Sequence, residues 1–183
     1  MSAIPQRIVL VGLPGSGKST AGRLAAQMLA SQHPQLGWEF EDADEAIAKR
    51  AGRSIPEIFA RQGEAAFRKL ERAVTAEWLE RPRLIAAMGG GWVELGELVD
   101  RFRAASVFVY LRVSPAVAAA RIDASGGGRP LLAGGETEKK VGQLLARREP
   151  LYVQSHHTLS VDSLSEAEVA SYIVALATGE TGS

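Results

Sequence analysis

A chain of 183 residues with 46% apolar content is long enough to bury one α/β core and short for two. Lysine plus arginine and aspartate plus glutamate balance at 21 each, which excludes an overall basic field for nucleic acid or an anionic membrane surface and makes any anion site local. The absence of cysteine excludes disulfides, thiolate metal sites and cysteine nucleophiles, and with no signal-like start and no membrane-length apolar run the expected location is cytoplasmic.

The first apolar run, Ile8-Val9-Leu10-Val11, reads as a buried strand that leads into Gly12-Leu13-Pro14-Gly15-Ser16-Gly17-Lys18-Ser19-Thr20. That stretch fits G-x-x-x-x-G-K-[ST], and the helix-compatible segment Ala21–Leu29 follows, so strand, loop and helix together make a P-loop. Gly15 and Gly17 let backbone N–H groups, including that of Ser16, turn inward around phosphate oxygens at the positive end of the helix. Lys18 is then placed to reach the β- and γ-phosphates, Ser19 to ligate Mg²⁺, and Thr20 to add a second hydroxyl.

Ser31–Gly37 reads as a loop and Trp38–Glu41 as a short second strand ending at Asp42-Ala43-Asp44. Residues two apart on an extended segment share a face, so both carboxylates are expected to point the same way at the carboxyl edge of the sheet; Asp44 is also a candidate N-cap for a helix over Glu45–Ala51. Ser54-Ile55-Pro56-Glu57 is a capping box, predicting a helix from Ile55 that pauses at Gly63. In the longer helix that follows, Phe67, Leu70, Val74 and Trp78 form one buried stripe. Arg68 and Glu71, three apart, can pair beside it, although spacing alone equally allows Arg68 to be a solvated surface residue.

Pro82 is expected to end that helix before the apolar strand Leu84–Met88, which runs into Gly89-Gly90-Gly91. Three glycines at a strand's carboxyl end suit the close approach of a ligand, or a plain turn. Glu94–Ala104 reads as helix, Ser106–Leu111 as strand, and Ser114-Pro115 as the capped start of a helix through Ile122. The glycine-rich stretch Ser125–Gly135 around Arg129 is either a mobile lid or a loose connector. A helix from Thr137 until Pro150 carries Arg147 and Arg148, Thr158–Val161 is a last strand, and Ser165-Glu166-Ala167-Glu168 opens a terminal helix. The alternation implies an α/β fold of about five parallel strands with helices on both faces.

Together these segments resemble the shikimate kinase family from Gly12 to Val161. The resemblance is carried by the P-loop, the D-x-D of Asp42 and Asp44, and the G-E-x-x-F-R-x-x-E of Gly63, Glu64, Phe67, Arg68 and Glu71. The triple glycine, Arg129-Pro130-Leu131-Leu132 and Arg148-x-Pro150-Leu151-Tyr152 complete it. It implies a three-layer α/β/α P-loop kinase fold in one domain over residues 1–183, with a substrate-binding helical segment near 42–80 and a lid near 124–136. The implied reaction moves the γ-phosphoryl group of ATP to the 3-hydroxyl of shikimate, in aromatic amino-acid biosynthesis, with Mg²⁺ and as a monomer. By the same resemblance Asp44 binds the acceptor hydroxyls and is the candidate base, while Asp42 holds Mg²⁺ through water. Arg68 and Arg148 grip the acceptor carboxylate, Glu71 holds Arg68, and Gly89, Gly90 and Gly91 bring backbone amides to the acceptor. Arg129 closes onto the phosphates, and Arg121 lies near the adenine.

Two arginines on one small acid make chemical sense, because a planar guanidinium meets a carboxylate with parallel hydrogen bonds. An aspartate is a weak base at neutral pH, so Asp44 either removes the hydroxyl proton beforehand or takes it late. Trp92 stands where the family more usually has a small or aliphatic residue and is expected to narrow or cap the acceptor pocket. His156 and His157 replace frequent acidic residues; adjacent side chains point to different faces, which favours surface or capping roles over a metal site. Two other readings compete: a kinase of another small polyhydroxy acid such as gluconate, and a nucleotide-binding regulatory protein without turnover. Intact Lys18, Asp42, Asp44, Arg68, Arg129 and Arg148 argue against the second of these.

Overall fold

The structure is a computed structural model that describes residues 5–125 and 136–180. Five parallel strands lie in the order β2-β3-β1-β4-β5: β1 (Arg7–Val11), β2 (Glu39–Asp42), β3 (Leu84–Ala87), β4 (Val107–Arg112) and β5 (His157–Ser160). Ile8, Val9 and Leu10 are consecutive and all fully buried. Since successive strand side chains point to opposite faces, both faces of β1 are covered, which is the three-layer arrangement. The edge strands β2 and β5 carry exposed positions instead.

The helices are α1 (Lys18–Gln32), α2 (Ala43–Ala51), α3 (Ile55–Ala76), α4 (Glu97–Ala105), α5 (Pro115–Ala124), α6 (Thr137–Tyr152) and α7 (Glu166–Thr178). Packing pairs α1 with α7, α2 with α3, and α5 with α6. The chain leaves β1 for strands on either side of it, so the carboxyl end of β1 lies at the point where strand order reverses, the usual ligand crevice of an open α/β sheet.

Both capping boxes form as expected, at Ser54 with Glu57 and at Ser165 with Glu168. The pause at Gly63 is a break in α3, with φ 77° and ψ 176°. Several boundaries differ from expectation. Asp42, not Asp44, caps α2, which begins one residue after β2 ends; the two aspartates therefore do not share a strand face. Asp44 sits in the first helical turn. The expected helix from Glu94 is split, with a 3₁₀ turn over Trp92–Glu94 and α4 starting only after Gly96. Pro82 does not end α3, which stops at Ala76 before a 3₁₀ turn over Glu77–Glu80. Pro150 lies within α6, which continues to Tyr152; in the last turn the missing N–H costs one hydrogen bond and does not stop the helix. The Ser31–Gly37 connector contains the end of α1 and a 3₁₀ turn over Pro34–Leu36.

Candidate active site

A cavity of about 490 Å³ opens at the carboxyl ends of the central strands, lined by Gly15 to Ala21, Asp42, Asp44, Ala87 to Gly90, Arg121 and Leu164 among others. The P-loop side of it is shaped by the backbone. Gly15 has φ 80° and a Cβ there would lie 2.6 Å from the carbonyl oxygen of Ala118, so no side chain fits where α5 meets the loop. Gly17 caps α1, leaving that helix's first N–H groups directed at the cavity mouth. The Lys18 ammonium donates to the carbonyls of Gly12 and Leu13, both at 2.8 Å, and to Ser16 Oγ at 3.3 Å. Arg121 donates from Nη1 to the Gly15 carbonyl at 3.3 Å and from Nη2 to the Val161 carbonyl at 3.2 Å, laying its guanidinium between the P-loop and Val161.

Between the two ends stand the aspartates. The Ser19 hydroxyl donates to Asp42 Oδ2, while Asp42 Oδ1 accepts the Glu45 N–H at 3.1 Å, so the carboxylate that caps α2 also ties that helix to the P-loop. Two residues on, Asp44 reaches toward the triple glycine, with its Oδ1 3.6 Å from where a Cβ on Gly89 would stand. Glu71 Oε1 is 2.5 Å from the same point.

The third part gathers charge just beyond the cavity. Arg68 Nη1 donates to Glu71 at 2.6 Å and Nη2 to Glu64 at 3.2 Å. Glu71 is fully buried and its Oε1 has no hydrogen-bond partner among the described residues. Burial pushes its carboxyl above the usual range, Arg68 opposes the shift, and Asp44 adds to it. Arg148 is 2% exposed and approaches from α6. A Cβ on Gly91 would lie 2.7 Å from Arg68 Nη1 and 2.8 Å from Arg148 Nη2, and closer still to Arg68 Nη2. The two guanidiniums thus converge over one glycine, and the buried Tyr152 hydroxyl, donating to the Gly90 carbonyl, holds the turn beneath them. Such a pair is built for a planar anion.

The structure therefore brings together every expected site residue that it describes; Arg68, Arg148 and Gly91 adjoin the 490 Å³ cavity without lining it. Arg129 and most of the expected lid, within residues 126–135, lie outside the described residues. Chain and cleft have close parallels. The family profile for shikimate kinase matches residues 14–178, and a shikimate kinase of a Synechococcus strain is 39% identical over 167 residues, covering 91% of this chain and 82% of that one. This chain belongs to the shikimate kinase family. The solved shikimate kinase of Acinetobacter baumannii in complex with shikimate superposes with TM-score 0.86 at 32% identity, covering 98% of this chain and 96% of that one. A gluconokinase from Sinorhizobium meliloti, at TM-score 0.54 and 19% identity over 98% of this chain and 95% of that one, shares the fold alone.

Within this shikimate kinase family member the expectation for Trp92 is overturned. Its side chain is fully buried, edge-on to Phe102 at 5.2 Å, and its indole N–H donates to Thr75 Oγ1 at 2.9 Å. It fills core between the glycine turn and α3 and does not line the cavity, because the 3₁₀ turn aims residue 92 inward. The histidines separate as expected: His156 Nδ1 accepts the Phe108 N–H at 3.0 Å and His157 Nδ1 meets the Tyr172 hydroxyl at 3.0 Å. Sequence reading missed Glu94, which pairs with both Arg147 and Arg148; residue type and spacing offer it only as the start of a helix.

Proposed function

We propose that this chain moves the γ-phosphoryl group of ATP to the 3-hydroxyl of shikimate, as a single kinase domain and a monomer in the cytoplasm, without nucleic-acid or membrane partners. The observation that carries the reading is the convergence of Arg68 and Arg148 over Gly91, next to Gly89 and Gly90, which line one cavity with Asp44 and the P-loop. A small acid anchored by its carboxylate there presents its ring hydroxyls to Asp44. P-loop N–H groups and Lys18 hold the β- and γ-phosphates, Arg121 borders the base, and Arg129 adds positive charge by its place in the motif.

The Ser19 hydroxyl and Asp42 carboxylate meet at the mouth of the loop and form a hard-oxygen pair that fits Mg²⁺, an ion that takes few protein ligands and shares its sphere with phosphates and water. When bound, the ion neutralises charge on the phosphate oxygens. Asp44 orients the 3-hydroxyl and accepts its proton as the oxygen bonds to γ-phosphorus. The bond from γ-phosphorus to the bridging oxygen breaks at the same time, leaving ADP. Catalysis is mostly positioning, because the transferring group asks for little covalent help. Phosphorus NMR of a reaction with MgATP and shikimate tests this: one new monoester on the 3-hydroxyl is expected, whereas inorganic phosphate alone, or a monoester on another hydroxyl, contradicts it.

A further inference from the structure

We propose that Glu94 is a positioning residue for the acceptor carboxylate, acting through Arg148; this rests on the reading that Arg148 holds that carboxylate. The backbone places it. Trp92 N donates to the Gly89 carbonyl at 3.0 Å and Glu94 N to the Gly91 carbonyl at 3.1 Å, a 3₁₀ turn in which side chains three apart eclipse. Residue 94 therefore stands over residue 91, where the two guanidiniums meet, while Trp92 points into the core.

The atoms define what Glu94 does there. Its Oε2 takes the side edge of Arg148, Nε at 3.2 Å and Nη2 at 3.1 Å. A guanidinium has a second edge at its tip, formed by Nη1 and the other N–H of Nη2; Arg148 Nη2 lies 2.8 Å from where a Cβ on Gly91 would stand and the guanidinium also hydrogen-bonds Tyr152, so Arg148 is held against the glycine turn where the acceptor carboxylate is proposed to bind. Glu94 Oε1 takes Arg147 through Nε at 2.7 Å, so its charge is balanced on its own side and offsets Arg148 less. Arg147 is 63% exposed and Glu94 23%, so the outer pair contributes little to stability while the inner one, against a buried arginine, fixes a direction. The acceptor end then has two matched units, Glu71 holding Arg68 and Glu94 holding Arg148.

The test is steady-state kinetics of the full chain with MgATP, using shikimate and its methyl ester, which lacks the carboxylate. For Glu94→Gln the expected result is a rise in KM for shikimate of about tenfold, with kcat and KM for MgATP changed by less than about threefold. Ester turnover should match wild type, since Arg148 then has no carboxylate to receive. Glu94→Asp, which keeps the charge and disturbs the fold least, should raise KM for shikimate by about threefold and leave the ester alone. An unchanged KM in folded Glu94→Asp or Glu94→Gln overturns the proposal. So does a lowered KM, which would make Glu94 a competitor for Arg148, or an equal loss on the ester, which would make its role structural. Arg148→Gln is run in parallel: if it leaves KM for shikimate unchanged, the clamp reading itself fails, whereas a raised KM there beside a silent Glu94→Gln defeats the Glu94 proposal alone.

Discussion

The phosphate end of the cleft is one contiguous stretch of backbone from Gly12 to Thr20, whereas the acceptor end is assembled from α2, α3, the triple-glycine turn and α6. At the first, glycine conformation and a helix N-terminus shape the loop, and even the Lys18 ammonium is held by the loop's own carbonyls. At the second, each group is held by a side chain: Arg68 by Glu71 one turn along α3, Arg148 by Glu94 across 54 residues, and the Gly90 carbonyl by Tyr152. A site for a group common to many substrates can be built locally, while one that selects a particular acid needs tertiary structure. Damage at the two ends should therefore separate in kinetics.

The largest effect is expected at the phosphate end. Lys18→Met should lower kcat by about a hundredfold or more, because the charge that offsets the transferring phosphoryl group is lost. Single-turnover ADP release checks it, and a rate near wild type would remove Lys18 from the chemistry. Gly91→Ala should act at the other end only. Its methyl group would displace both guanidiniums, raising KM for shikimate by about thirtyfold while KM for MgATP stays within about twofold. Equal losses on both substrates would show that the ends are not separable.

Glu71 sharpens the comparison through pH. Its folded carboxyl titrates above the unfolded one, chiefly through burial, so between those two values the folded state binds more protons and stability falls as pH rises. Protonation also removes the charge that holds Arg68, so KM for shikimate should rise on acidification at a pH above the ordinary carboxylate range. Glu71→Gln should flatten both profiles, by a few-fold in KM, in thermal melts and kinetics taken across pH; an unaltered acid limb would assign that limb elsewhere. The smallest kinetic effect is expected from Trp92→Phe. It should cost about 1–2 kcal/mol of stability through the lost hydrogen bond to Thr75, with KM for shikimate within about twofold. Denaturant melts beside kinetics decide it, and a large KM change would return Trp92 to the pocket.

The same contrast explains what the sequence made legible. The P-loop, the β1 strand and the capping boxes at Ser54 and Ser165 are local, so residue type and spacing suffice. The D-x-D pair was found for a reason that does not hold: α2 starts immediately after Asp42, and Asp44 reaches the site from a helical turn, not from a strand face. Trp92 was misplaced because the 3₁₀ turn that buries it depends on how the glycines close over β3. Glu94 was invisible because its partner Arg148 lies 54 residues away, and nothing in either segment reports that separation closing. Pro150 reads as a helix stop, yet in a last turn packed through Tyr152 the core outweighs one absent donor.

On the proposed reading Arg68 and Arg148 admit a carboxylate, and Asp44, beside the glycine turn, discriminates among carboxylic acids by where their hydroxyls fall. Coupled ADP release with MgATP and shikimate, quinate, gluconate or no acceptor tests it most directly. Turnover confined to shikimate is the predicted result. Comparable turnover with gluconate, or ADP release indifferent to any acid, would contradict it.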